Sequence, residues 1–258
     1  MSQAPFQKFT AKKKNSVIKE EFRQEKKKYR KEQDLFVVEG LKSVLEFLQS
    51  GYRIHSVYGT STVLPKLGKI SQNIKLLEVK ADEIAKISGL TTPQDVLAVV
   101  YIPQNDEKEL TIEANTFHLL LDGIQDPGNL GTIIRTADWF GFKQVICSND
   151  TVDAYNPKVV QASMGSLARM DIIYTNLEDL VRNSSLPSFA ATLGGTSIFE
   201  TSFGHEGLLI LGNEGNGIRP EILEKVSNQV TIPLFGAAES LNVAVSAGIF
   251  CAEVRRNS

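Results

Sequence analysis

From Leu35 onward the chain alternates short β-branched runs with stretches of helical period. LFVVEG, RIHSVYGT, IKLLEV and VLAVVYI read as strands; LKSVLEFLQSG, a short stretch after RIHSVYGT, and ADEIAKISGL read as helices. Together they predict a small α/β unit over 33–104, closing near Ile102. The polar, acidic string opened by Pro103 has the composition of a linker, placed at 105–116. A second α/β series, 117–258, begins at the apolar strand FHLLLD. It continues through a helix from about Leu130, the strand KQVICS, a helix over about 158–167 and a strand near Ile172. SFAATL, GLLILG and VTIPL follow as strands, and an apolar helix from 240 to about 255 ends the series. Strands separated by helices predict a mostly parallel sheet, and such sheets bind ligands at the carboxyl ends of their strands. The loops after Leu121, Leu211 and Ile232 are therefore where chemistry is expected.

Composition refines this picture in one respect. The formal net charge of -2 conceals 11 Lys/Arg against 4 Asp/Glu in residues 1–32, with 17 against 26 in the remainder. A basic amino-terminal arm on an acidic protein could be a solvated helix face, but charges so crowded favour contact with the phosphate backbone of a nucleic acid. No apolar run approaches the roughly 20 residues that span a bilayer, and MSQAPFQKFTAKKKN has no apolar stretch behind its lysines, so a cytoplasmic protein is expected. Cys147 and Cys251 lie in apolar strings without a CxxC or nearby His, which predicts buried thiols and no metal site. His118, inside FHLLLD, is expected to be a hydrogen-bonded structural histidine.

Three segments carry candidate chemistry. In LLLDGIQDPGNLGTIIRTADWFGF a strand ends at Asp122 and a loop leads to a helix bearing Asn129 and Arg135. Asn129 suits an N-cap and Arg135 a carboxylate partner, or both address a ligand above the strand end. In LLILGNEGNGIRPEIL three glycines, Gly212, Gly215 and Gly217, surround the acid Glu214. Their GxxGxG spacing is not the GxGxxG of dinucleotide sites, and no GxxxxGK[ST] occurs, which disfavours nicotinamide and nucleotide-phosphate enzymes. In VTIPLFGAAESLNVAVSAGIFCAEVRR a strand is expected to end at Ile232 and Pro233, with Ser240 capping the last helix. Small residues along that helix permit close packing against neighbours or another chain.

In this order and at these spacings, DPGNLGTIIRTA, LLILGNEGNGI and IPLFGAAESLNVAVSAGI resemble the three motifs of the SpoU/TrmH family of SPOUT methyltransferases. The segment containing FVVEGLKSVLEFL resembles, more loosely, that family's amino-terminal substrate-binding domain. The resemblance implies an α/β fold whose carboxyl-terminal SPOUT domain, a parallel sheet with a deep trefoil knot, follows a smaller α/β substrate-binding domain. It implies S-adenosylmethionine (SAM) as methyl donor, held by Gly212, Ile232 and Leu241, and an RNA ribose 2′-hydroxyl as acceptor; the size of the amino-terminal domain and arm favours rRNA, with tRNA as the other candidate. It assigns catalysis to Arg135, assisted by Asn129, Glu214, Ser240 and Asn242, in a homodimer joined through the knot domain. A guanidinium does not act as a base, so Arg135 is expected to steer phosphate or stabilise the developing alkoxide, while Glu214 accepts the proton or orients Asn129. Gln161 stands where the family often has an arginine, which bears on one RNA contact; Ser163 and Gly165 match and are expected to serve close packing. The alternative is a non-catalytic RNA-binding protein of the same fold acting in ribosome assembly, which would not require all five polar motif residues.

Overall fold

The computed structural model describes residues 30, 32–103, 110 and 112–256. The predicted basic arm thus lies outside the described residues except for Arg30 and Glu32, as do 105–109 and 111 of the linker. The chain divides into two compact units, the second beginning at Lys108.

In the first unit β1 (Leu35–Glu39), β2 (Ile54–Gly59), β3 (Lys75–Glu78) and β4 (Val96–Tyr101) form one sheet in the order β1-β4-β2-β3. β4 runs antiparallel to β1 and β2, and β3 lies parallel to β2. Helix α1 (Leu41–Gln49) and the short α2 (Ala81–Ala85) match the expected stretches. Alternation along the strands sorts the core into two faces. Leu35, Tyr58, Leu77, Leu97 and Val99 pack with Ile84 and Ile87, while Phe36 points the other way onto Phe47 of α1, ring centroids 5.5 Å apart.

The second unit is a six-stranded sheet in the order β10-β8-β9-β5-β6-β7, every neighbouring pair parallel. Its strands are β5 (Phe117–Asp122), β6 (Gln144–Ser148), β7 (Asp171–Thr175), β8 (Ser188–Ser197), β9 (Gly207–Gly212) and β10 (Asn228–Thr231). β5 is buried along its whole length, as a central strand covered on both faces must be. Helix α3 (Pro127–Trp139) follows β5. Between β6 and β7, Tyr155–Ala168 belongs to the first unit, where Tyr155 stacks on Phe36 at 4.8 Å. The helix expected over 158–167 is split there into α4 (Pro157–Ala162) and a 3-10 turn, Ser166–Ala168. Met164 and Gly165 take positive φ, 52° and 93°, and so end the α-helix. Gly165 and Ser163 are close-packed as expected: a Cβ on Gly165 would lie 3.0 Å from Glu46 Cγ, and buried Ser163 donates to the Val160 carbonyl at 2.8 Å.

One face of the large sheet packs Leu120, Ile146, Ala190, Leu208 and Ile210 against α5 (Leu177–Asn183) and Ile222 of α6 (Pro220–Leu223). The periodicity of apolar positions does not predict α5; Asn176 caps it by accepting from the Glu178 and Asp179 amides. Helix α7 (Val243–Arg256) packs along α3, and both have apolar sides turned inward. At their far ends Arg255 donates to the Phe140 and Gly141 carbonyls at 2.6 and 3.0 Å. Strand order reverses direction between β5 and β9, so the loops after these two strands emerge side by side at the carboxyl edge.

Candidate active site

The first loop begins at Asp122, which is only 1% exposed. Asp126, followed by Pro127 at the first helical position, caps α3 by accepting from the Asn129 amide at 2.8 Å. Asn129 is therefore not the N-cap that its residue type suggested; it sits in the first turn, with its side chain released for other partners. The same displacement occurs in the third loop. Asn242, not Ser240, caps α7, its Oδ1 accepting from the Ala244 and Val245 amides at 2.9 and 3.3 Å. β10 ends at Thr231, so Ile232 opens a loop and does not close a strand.

The second loop folds as a tight turn in which Asn213 and Gly217 exchange two backbone hydrogen bonds of 2.9 Å. Gly217 has φ 70°, and a Cβ on Gly212 would lie 2.3 Å from the Gly217 backbone, so both positions need glycine for different reasons. Asn213 Oδ1 accepts from the Gly215 and Asn216 amides at 2.8 and 3.0 Å, which holds Glu214 at the tip.

Three loops distant in sequence meet in one chain of side-chain hydrogen bonds. Asn129 Nδ2 donates to Glu214 Oε1 at 2.7 Å, and Asn242 Nδ2 donates to Asn129 Oδ1 at 3.0 Å. Each amide uses its donor and acceptor in one direction, which leaves Glu214 Oε2 and the remaining Asn129 proton to face other groups. The amino ends of α3 and α7 both lie at this junction, where the helix dipoles favour negative charge. The structure does not draw the other two predicted catalytic residues into this chain. Arg135 is exposed on α3, about 9 Å along the axis from Asn129, and makes no hydrogen bond or ion pair with another described residue. Ser240 is exposed in the third loop, as is Leu241 at 49%.

Residues 116–252 match the SpoU rRNA Methylase family, and residues 15–98 match the MRM3-like substrate binding domain. The chain belongs to the SpoU family. It is 33% identical to the 23S rRNA (guanosine(2553)-2′-O)-methyltransferase of Bacillus subtilis, over 94% of this chain and 97% of that one. A TrmH-family structure from Porphyromonas gingivalis superposes with a TM-score of 0.86 at 38% identity, covering 98% of this chain and all 100% of that one. The AdoMet-bound rRNA methyltransferase of Sinorhizobium meliloti gives 0.83 at 30% identity, covering 94% and 95% of the two chains.

The edge formed by β8, β9 and β10 is irregular. Between Gln229 and Val230 of β10, β8 makes an excursion of five residues, from Ala190 to Thr196 in the pairing. Within it Thr192 Oγ1 is buried with no hydrogen-bond partner, the one such side-chain atom among the described residues. Thr192 lies two residues past Ala190, where the pairing of β8 with β9 ends. A buried hydroxyl that no protein group satisfies is open to a polar ligand. Neither Thr192 nor this excursion is visible in the hydrophobic pattern, where SFAATL reads as an ordinary strand. His118 is structural as expected, its Nε2 at 3.0 Å from the Glu113 carbonyl and its Nδ1 at 3.2 Å from Gln144 Nε2. Cys147 and Cys251 are buried and free.

Proposed function

We propose that this SpoU-family chain transfers a methyl group from SAM to a ribose 2′-hydroxyl of structured RNA, with rRNA favoured over tRNA. The observation that carries this reading is the hydrogen-bonded chain Glu214–Asn129–Asn242, which joins all three motif loops at the switch point of the sheet. The names of the Bacillus subtilis and Sinorhizobium meliloti proteins support rRNA as substrate, and the bound AdoMet of the latter supports the donor.

When bound, SAM supplies an electrophilic methyl group on a sulfonium, so no further activation of the donor is needed. Gly212, Ile232 and Leu241 hold it, with Thr192 Oγ1 as an added hydrogen-bonding group. The protein's remaining task is to align the 2′-oxygen and remove its proton. Glu214 is the carboxylate of the junction; it accepts that proton directly or fixes the Asn129 amide that contacts the ribose. Arg135, exposed and without a partner among the described residues, is free to take an RNA phosphate or stabilise the developing alkoxide. Ser240 lines the same loop as Asn242 and contributes a hydroxyl to the acceptor side. The first unit and the basic arm hold the structured RNA. No described helix is long and apolar enough to cross a membrane, and an rRNA substrate is compatible with a cytoplasmic setting. Trp139 on α3, 84% exposed, and Val245 on α7, 52% exposed, suit burial in a homodimer of the knotted domain.

The test is transfer of labelled methyl from SAM to total RNA of a strain lacking the protein, with label mapped by ribose-methylation sequencing. One 2′-O site labelled by the wild type and not by Arg135→Ala is the expected outcome. Donor binding without transfer to naked RNA or assembling ribosomal particles would instead support the non-catalytic RNA-binding reading.

A further inference from the structure

We propose that Arg219 and Asn213 are positioning residues that set Glu214 against Asn129, by tying both feet of the second-motif turn to the loop after β5. This rests on the reading of Glu214 as a working member of the active site. Glu214 stands at the tip of a turn whose own hydrogen bonds fix its shape but not its place over the sheet. Two ties supply the place. At the leading foot, Asn213 Nδ2 donates to the Gly123 carbonyl at 2.7 Å. At the trailing foot, the Arg219 amide donates to Asp122 Oδ2 at 2.8 Å and Arg219 Nε donates to Asp122 Oδ1, also at 2.8 Å.

The second tie is built to resist motion. Asp122 is 1% exposed, so its charge is held by the two-pronged contact and costs much to leave unpaired. Arg219 Nη2 lies 2.5 Å from Asp122 Oδ1 and 3.6 Å from Asp150 Oδ1, which brings the loop after β6 into the same knot of charges. The receiving loop is itself anchored: the Gly123 amide donates to Ser148 Oγ at 2.8 Å, and Ser148 Oγ is 3.1 Å from Thr151 Oγ1. Asn129 rides on the helix that follows this loop. Glu214 and Asn129 are thus referred to the same short stretch of chain, Asp122 and Gly123, from opposite sides. Neither Asn213 nor Arg219 reaches the reacting atoms in this scheme; both act through Glu214.

Conservative variants isolate the ties. Asn213→Asp keeps the acceptor for the Gly215 and Asn216 amides and removes the donor to Gly123. Arg219→Lys keeps a charge and the main-chain amide beside Asp122 and loses the guanidinium contacts to it. Each is made alone and with Glu214→Gln, and kcat on the RNA identified by methyl labelling, SAM Kd by calorimetry and Tm are measured. The expected result is a fall in kcat of about tenfold or more in each single variant, a SAM Kd within about threefold, and less than a twofold further fall when either is added to Glu214→Gln. Full kcat in both tie variants, or the same fold-loss with Gln at 214 as with Glu, overturns the proposal. Glu214→Gln with wild-type kcat would remove the reading on which it rests, a distinct outcome because the parent substitution alone reveals it.

Discussion

Gly212, Gly215 and Gly217 share one short motif, yet replacing each by alanine has a different cost. An ideal Cβ on Gly212 lies 2.3 Å from both the Gly217 carbonyl carbon and the Ile218 nitrogen. Relief to an ordinary carbon contact of about 3.5 Å needs a backbone displacement of about 1 Å. The facing strand of the turn cannot yield freely, because Asn213 and Gly217 are joined by two hydrogen bonds of 2.9 Å. Either those bonds open, at about 1 kcal/mol each, or the overpacking is borne as about 1–3 kcal/mol of strain. Gly212→Ala should therefore destabilise by roughly 2–4 kcal/mol, a fall in Tm on the order of 5–15 °C for a unit of this size. At Gly217 a Cβ meets nothing within 4 Å, but φ of 70° costs a side chain about 1 kcal/mol or slightly more. At Gly215 the nearest atom is Asn213 Oδ1 at 3.5 Å with no positive φ, so alanine should be neutral within about 0.5 kcal/mol. Differential scanning calorimetry of the three variants, with SAM titrations, tests the order Gly212, Gly217, Gly215. Equal Tm values for the Gly212 and Gly215 variants would refute the reasoning from close approach.

Asn242→Asp keeps the cap on α7 and loses the donor to Asn129, so turnover should fall at least tenfold while Tm moves by less than about 3 °C; a proportionate loss of both in thermal and kinetic assays would contradict this. Arg135→Ala should abolish methyl transfer with Tm within about 1 °C of wild type in the same melts, since no described residue depends on it. Burial pushes the Cys251 thiol up to about 12 and raises Cys147 further, so a thiol reagent at pH 8 should label neither in the native protein and both in denaturant. With folded values above the ordinary 9.0, these thiols contribute stability below that pH and lose it as pH rises toward 12, so urea midpoints should fall across that window, less so in Cys251→Ala. Arg255→Met releases the far ends of α3 and α7, and turnover should drop although the change lies about 20 Å along the helix from Asn242; unchanged kcat would show that packing alone sets the pair.

Most of the fold was legible because the hydrophobic effect writes its period into the chain. Continuous apolar runs such as FHLLLD and GLLILG announced strands buried on both faces, and these are the central pair β5 and β9. The pattern is ambiguous where two local signals compete. DPGN and ESLN each offer two cap-forming side chains; Pro127 fixes the first helical position and so selects Asp126, and in ESLN it is Asn242 that abuts the continuous helical run. The start of α5 was written in Asn176 with Glu178 and Asp179 after it, but seven residues are too few for a period to show. The return of Tyr155–Ala168 to the first unit had no local mark, because which core a helix joins depends on tertiary packing and not on its own pattern.

The site separates in the same way. What a ligand or a reaction needs at one position, a glycine with no room for Cβ or an acid among glycines, is visible as residue type and spacing. What holds those positions together is not, since Asp122 and Arg219 are 97 residues apart and Asn129 and Asn242 are 113 apart, and nothing in either local string names its partner. The displaced caps matter for this reason. If Asn129 and Ser240 had capped their helices, as their types allowed, the Asn129 side chain would be spent on the backbone and the acid of the second motif would face no amide. Asp126 and Asn242 take the capping role, and Asn242 does so with its oxygen alone, leaving its nitrogen to turn Asn129 toward Glu214. One asparagine thus couples the stability of α7 to the orientation of the two groups, Asn129 and Glu214, on which the proposed chemistry rests.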